Sequence, residues 1–179
     1  PLGGSVWWNP EKQFFEIWYE AGHVTNLAYA TSKDGLNWER PQLDVFPGTN
    51  KILEQAPDSW SVVRDWRAVN PDEKYKLLMR GPDMDIRRSI AYTSPDGIHW
   101  NKRALGGFSG DRVTFFYNPF RQKWVYSLRW GVPIAGRVRA YWESDDFLRG
   151  AQWLPNQPVF WARTDTLDKQ ILPGAKAKP

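Results

Sequence analysis

The chain has 179 residues, one domain's worth, with 41% hydrophobic and 25% charged residues, which excludes a disordered polymer. Twelve Trp, 14 Gly and 14 Pro argue against a helical bundle and for short strands joined by tight turns. The absence of Cys removes disulfides and thiolate sites, and a net charge of +4 from interspersed acids and bases is no nucleic-acid footprint.

In chain order, the first predicted strand is Ser5–Asn9, followed by the alternating run Gln13-Phe-Phe-Glu-Ile-Trp-Tyr-Glu20. A third strand, Ala28-Tyr-Ala-Thr-Ser32, ends in the turn Lys33-Asp-Gly35, and a short fourth strand carries Trp38. The same order returns with Ser61–Asp65, Lys74–Arg80, Ala91-Tyr-Thr-Ser94, the turn Pro95-Asp-Gly97, and a fourth strand at Ile98-His-Trp100. The third copy reads Thr114–Asn118, Lys123–Arg129, a degenerate Ala140-Tyr-Trp-Glu-Ser-Asp-Asp146, and Gln152-Trp153. Asp34, Asp96 and Asp145 are aligned as the three turn acids. A second register, matching Asn70-Pro71 to the other Asn-Pro pairs, is set aside because Ser61–Asp65 carries the β-branched run.

A four-stranded antiparallel unit repeated in tandem is the signature of a β-propeller blade. The predicted class is therefore all-β, with about three blades: 1–41, 57–104 and 105–163. Three blades cannot close a ring, so a longer parent is expected, with 164–179 as a linker towards a further blade. The opening Pro1-Leu-Gly-Gly, without Met, is read the same way, as a fragment or processed product. A β-sandwich of the same strand count would not need three copies of one pattern.

Inner strands of a propeller converge on one end of the channel, so polar residues at their lead-ins are the place to look for chemistry. Asp58 stands three residues before Ser61 and Asp111 three before Thr114; the matching first position is Leu2. Two carboxylates facing one cavity are what glycoside hydrolysis requires, one protonated and one ionised. Taken singly, either Asp is better explained as a loop cap or a bond to its own backbone; it is the pair at equivalent positions that brings function level with that reading. Strand B closes at the same end with Glu20, Arg80 and Arg129, candidates for sugar binding or for salt bridges between blades. Arg112, His23 and the aromatics Trp60, Trp66 and Trp130 complete the candidate set. His23 and His99 fall in different blades without clustered partners, so no metal and no cofactor is expected. No apolar run approaches membrane-spanning length, so no membrane partner is expected either.

Ser32-Lys-Asp-Gly-Leu-Asn-Trp38 and Ser94-Pro-Asp-Gly-Ile-His-Trp100 resemble the Asp-box of carbohydrate-active propellers. There the Asp takes backbone N–H bonds, the Gly supplies positive φ and the Trp packs between blades, so Asp34 and Asp96 read as scaffold. With Gly3-Gly-Ser-Val-Trp-Trp-Asn-Pro10 and Gly110-Asp-Arg-Val-Thr-Phe-Phe-Tyr-Asn-Pro-Phe120, the chain resembles bacterial proteins related to glycoside hydrolase families 32 and 43. That resemblance implies a five-bladed propeller cleaving glycosidic bonds of a polysaccharide or oligosaccharide, in a secreted or periplasmic bacterial protein. It gives Asp58 the part of a blade-two acid and Asp111 a blade-three position usually held by Glu. The first-blade Asp of those families is missing, and their Arg-Asp-Pro pattern is replaced by Arg64-Asp-Trp66. The alternative is a non-catalytic propeller that binds carbohydrate or protein.

Overall fold

Alternation of apolar and polar residues builds strands with one face on a seam, and the repeat places three such sets side by side. A computed structural model describes residues 4–54, 59–81, 87–132 and 136–163. The first sheet holds β1 (Gly4–Asn9), β2 (Phe14–Ala21), β3 (Asn26–Ser32) and β4 (Lys51–Glu54). The second holds β5 (Trp60–Arg64), β6 (Tyr75–Arg80), β7 (Arg88–Ser94) and β8 (Asn101–Phe108). The third holds β9 (Thr114–Asn118), β10 (Lys123–Val132), β11 (Gly136–Ser144) and β12 (Val159–Ala162). Within each sheet the strands run antiparallel in chain order. This is the all-β propeller architecture that the repeat predicts.

The first strands of consecutive sheets are neighbours, β1 beside β5 and β5 beside β9. Ser5 Oγ accepts from the Val62 N–H at 2.9 Å, Trp7 Nε1 donates to the Val62 carbonyl at 2.9 Å, and Ser59 Oγ accepts from the Val113 N–H at 2.8 Å. Two apolar seams lie between the sheets. Trp18, Tyr29, Tyr75 and Leu77 fill the first; Leu78, Phe115, Tyr126, Phe147 and Trp153 fill the second. The first seam also contains a carboxylate: the fully buried Glu16 accepts from Tyr29 Oη at 2.8 Å, Tyr75 Oη at 2.7 Å and Asn9 Nδ2 at 3.1 Å.

Each first-to-second turn is closed by the same device, which fixes the alignment of the copies. Asn9 Oδ1 accepts from the N–H of Glu11 and Lys12, Asp65 Oδ1 from Arg67, and Asn118 Oδ1 from Phe120 and Arg121. Asn70 instead caps a 3-10 turn, Pro71–Glu73, so the Asn70-Pro71 register is not the structural one.

Two expectations need correction. The fourth strands do not contain Trp38, Trp100 and Trp153, because the Asp-held turn uses up the residues before each Trp. Pairing resumes just past the first two Trp, at the Thr31–Glu39 bridge and at Asn101, and at Val159 in the third sheet; the fourth strand of the first sheet is Lys51–Glu54, past the residue-41 limit. Trp100 and Trp153 serve the seams, donating to the Gly97 and Phe108 carbonyls at 3.0 and 2.8 Å. Second, the third turn acid is Asp146, not Asp145. Ser32 and Ser94 hydrogen-bond Asp34 and Asp96 two residues on, and those carboxylates accept the Asn37 and His99 N–H groups. Asp146 likewise follows Ser144 by two and accepts from the Arg149 N–H at 2.7 Å, capping α1 (Phe147–Gly150). Asp145 is ion-paired to Lys123 at the surface.

Gly97 has φ of +80° and its carbonyl also accepts from Trp18 Nε1 at 2.7 Å; a Cβ there would lie 2.6 Å from the Trp18 ring. Gly35 has φ of +74° but meets only ordinary contact with Phe15. Gly97→Ala is therefore expected to cost roughly 2–3 kcal/mol, strain plus overpacking, and Gly35→Ala about 1 kcal/mol from strain alone. Urea unfolding of the two variants checks the difference.

Candidate functional site

Strand register aligns the closing residues of the second strands. Trp7 faces Glu16, Val63 faces Lys76 and Phe116 faces Val125, and four residues further on stand Glu20, Arg80 and Arg129. Arg129 turns towards the lead-in of β9, where its Nε lies 3.1 Å from Asp111 Oδ1. Each side chain is 26% exposed. The contact is charge against charge and off the hydrogen-bonding direction, so among the described residues Asp111 Oδ1 and Arg129 Nε have no hydrogen-bond partner.

This pair forms one wall of an open cleft of about 430 Å³, lined also by Arg112, Arg137, Val138, Arg139, Ala162 and Arg163. Arg139 is the best-anchored member. Its Nε donates to Ser127 Oγ at 3.0 Å, Nη1 to the Arg112 carbonyl at 2.8 Å and Nη2 to the Ser127 carbonyl at 2.8 Å. Burial lowers its pKa from the ordinary arginine value, and the nearby Asp111 charge opposes that shift. Arg112 has φ of +59°, an uncommon conformation for a side-chain-bearing residue, and this bend presents its carbonyl to Arg139.

Of the sequence-predicted residues, the cleft brings together Asp111, Arg112 and Arg129. Asp58 lies outside the described residues, as does 164–179. Glu20 is engaged in its own hairpin, Oε1 accepting the Val24 N–H at 2.5 Å, and His23 is exposed in that turn. Arg80 is buried at the end of β6, beside Ser59, whose carbonyl accepts the Arg80 N–H at 2.8 Å. Trp60 packs on the first seam, Trp66 lies 3.9 Å under the Arg64 guanidinium, and Trp130 stands edge-on to Phe108. None of these six lines the cleft.

Sequence reasoning looked at strand ends and missed Arg137, Arg139 and Arg163. The signal was available: Arg137-Val-Arg139 at the start of a strand alternates, so both arginines share one face. Trp161, 61% exposed and edge-on to Tyr141 at 6.3 Å, stands one residue before Ala162 without lining the cleft. Among the described residues no three or more His, Asp and Glu side chains group as a metal site.

No protein-family model and no curated protein sequence matches the chain. Solved structures do. A fructofuranosidase from Schwanniomyces occidentalis is 15% identical with a TM-score of 0.60, over 88% of this chain and 34% of that one. An N-acetylgalactosamine deacetylase from F. plautii, in complex with blood group B trisaccharide, is 17% identical with a TM-score of 0.57, over 87% and 52%. An endo-1,4-beta-xylanase from Bacteroides thetaiotaomicron is 14% identical with a TM-score of 0.56, over 92% and 55%. The chain thus spans a third to a half of these proteins and shares their fold, which meets the expected likeness to family 32 and 43 propellers at the level of architecture.

The turn acids do structural work at the far side of the sheets. His99 Nδ1 is 2.6 Å from Asp96 and its Nε2 is 3.1 Å from Asp44 of the preceding unit. The hydrogen bond to Asp96 is the main cause that raises the His99 pKa above its ordinary value, with Asp44 adding to it. The same contact lowers the Asp44 carboxyl. Stability from this bridge is fully present below about pH 6.5 and is lost as pH rises through the higher folded value. An NMR titration is expected to place the His99 midpoint above 6.5, and Asp44→Asn to move it back towards that value.

Proposed function

We propose that the chain supplies neighbouring blades of a carbohydrate-active propeller whose sugar-binding cleft opens at the lead-in to β9. The observation that carries this reading is a carboxylate, Asp111, on the wall of an open cleft at the head of an inner strand. The shared fold supports it, since two of the matched structures are a fructofuranosidase and a xylanase. Arginine guanidinium groups suit sugar hydroxyls and ring substituents, and the apolar, exposed Ala162 suits the C–H face of a pyranose.

The reaction we assign to the intact propeller is hydrolysis of a glycosidic bond, with Asp58 and Asp111 as the carboxyl pair. Hydrolysis needs one carboxylic acid to protonate the leaving oxygen and one carboxylate to attack the sugar or activate water. The matched positions of Asp58 and Asp111, each seven residues before a turn-closing Asp65 or Asn118, support pairing them. A second reading, a propeller that binds sugar without cleaving it, is favoured by the ion pair that engages Asp111 with Arg129.

Asp58→Asn and Asp111→Asn, introduced into a chain that carries the full ring of blades, separate the two readings. Hydrolysis is expected to fall by about 10²–10⁴-fold with sugar binding kept. Unchanged turnover removes both residues from the reaction. The 179-residue chain by itself is expected to show no turnover in a reducing-sugar assay, because three blades do not close a ring around a channel.

A further inference from the structure

The cleft is unusually charged for a neutral sugar. Five arginines, Arg112, Arg129, Arg137, Arg139 and Arg163, line it against a single carboxylate, Asp111. Arg129 and Arg139 stand directly opposite one another across β10 and β11, a like-charge pairing that costs stability unless something neutralises it. Asp111 cannot do so for the whole set. Among the described residues it is the one acid in ion-pair contact with any of the five, and it contacts only Arg129.

The donors divide into two groups. Arg139 spends its guanidinium on Ser127 and Arg112, so it is a fixed positive wall. Arg112, Arg137 and Arg163 are exposed and in no ion pair among the described residues, and Arg129 Nε is buried without a hydrogen-bond acceptor. Arg112, Arg137 and Arg163 present their guanidinium groups at the open cleft, so an anion entering it meets donors with no ion pair among the described residues to break. A planar guanidinium matches a two-oxygen acceptor, whether carboxylate or sulfate ester.

We propose that this cleft takes an acidic sugar, one whose ring carries a carboxylate or a sulfate ester, with the anionic group held among Arg129, Arg137 and Arg163. The proposal rests on the sugar-binding reading above and names the class of sugar. Asp111 orients Arg129, and the ring lies over the exposed Ala162, which stands opposite Arg139 on the same face. Charge attraction then adds to association, so binding weakens as salt screens it.

Calorimetric titration of the 179-residue chain with trigalacturonate, a sulfated galacto-oligosaccharide, xylotriose and sodium sulfate tests this. An acidic oligosaccharide is expected to bind at least tenfold more tightly than xylotriose and than sodium sulfate, with affinity falling between low and physiological salt. The tighter of the two acidic ligands identifies carboxylate or sulfate ester. The double variant Arg137→Ala/Arg163→Ala changes two exposed side chains, and it should remove at least tenfold of the acidic ligand's affinity while unfolding at an unchanged urea midpoint. Xylotriose binding as tightly as the acidic sugars overturns the charge assignment and leaves the sugar cleft standing. Binding of none of the three oligosaccharides beyond sodium sulfate overturns both, and full affinity in the double variant overturns the site.

Discussion

A carboxylate with no exposure to water fixes how the first two sheets meet. Taking an ionised carboxyl out of water costs several kcal/mol unless hydrogen bonds replace the lost solvation. Glu16 meets that demand with donors from three strands: Asn9 on β1, Tyr29 on β3 and Tyr75 on β6, with Lys12 Nζ at 3.7 Å. Only Tyr75 belongs to the second sheet, so its hydroxyl spans the seam. Burial pushes both tyrosine hydroxyls well above their ordinary pKa, and the Glu16 charge pushes the same way, so each stays a donor. A shifted seam would strand the carboxylate, which makes this contact a locator as well as a bond.

The equivalent slot on β6 holds Lys76, and on β10 it holds Val125. Lys76 is buried with its Nζ 2.8 Å from Asp65 and 2.7 Å from the Glu73 carbonyl, and it lies 5.3 Å from the Trp124 ring across the second seam. The two seams therefore differ in charge at one matched position. A carboxylate met by phenols cannot trade places with an ammonium beside an indole, so neighbours are specified even though the three modules share one plan.

Much of the architecture was legible because the repeat is written in turn chemistry. Asn9, Asp65 and Asn118 mark one turn and Asp34 and Asp96 another, and those residues close the turns expected of them. The third module reads one residue out because Asp145 and Asp146 are adjacent and no Gly follows; the two-residue spacing from Ser144 and the hydrogen bond from the Arg149 N–H identify Asp146, while Asp145 pairs with Lys123. A Trp after the turn reads as a fourth-strand residue, whereas the Trp100 and Trp153 rings are committed to the seams and the fourth strands begin past them. The site was less legible than the scaffold. Asp111 and Arg129 could be matched by position, but a cleft also draws on Arg163, and no spacing rule links the end of β12 to the lead-in of β9.

The connections from third to fourth strand differ widely, spanning residues 33–50, 95–100 and 145–158. Beside them, β1, β5 and β9 are stitched to one another by Ser5, Trp7 and Ser59 through bonds that involve none of those connections. The bonds among the first strands are thus made without the connections, although Gly97, Phe147 and Trp153 within those connections pack on the seams. A change of length away from those packed residues would reshape the outer edge of a sheet, and so its surface, without touching the bonds among β1, β5 and β9.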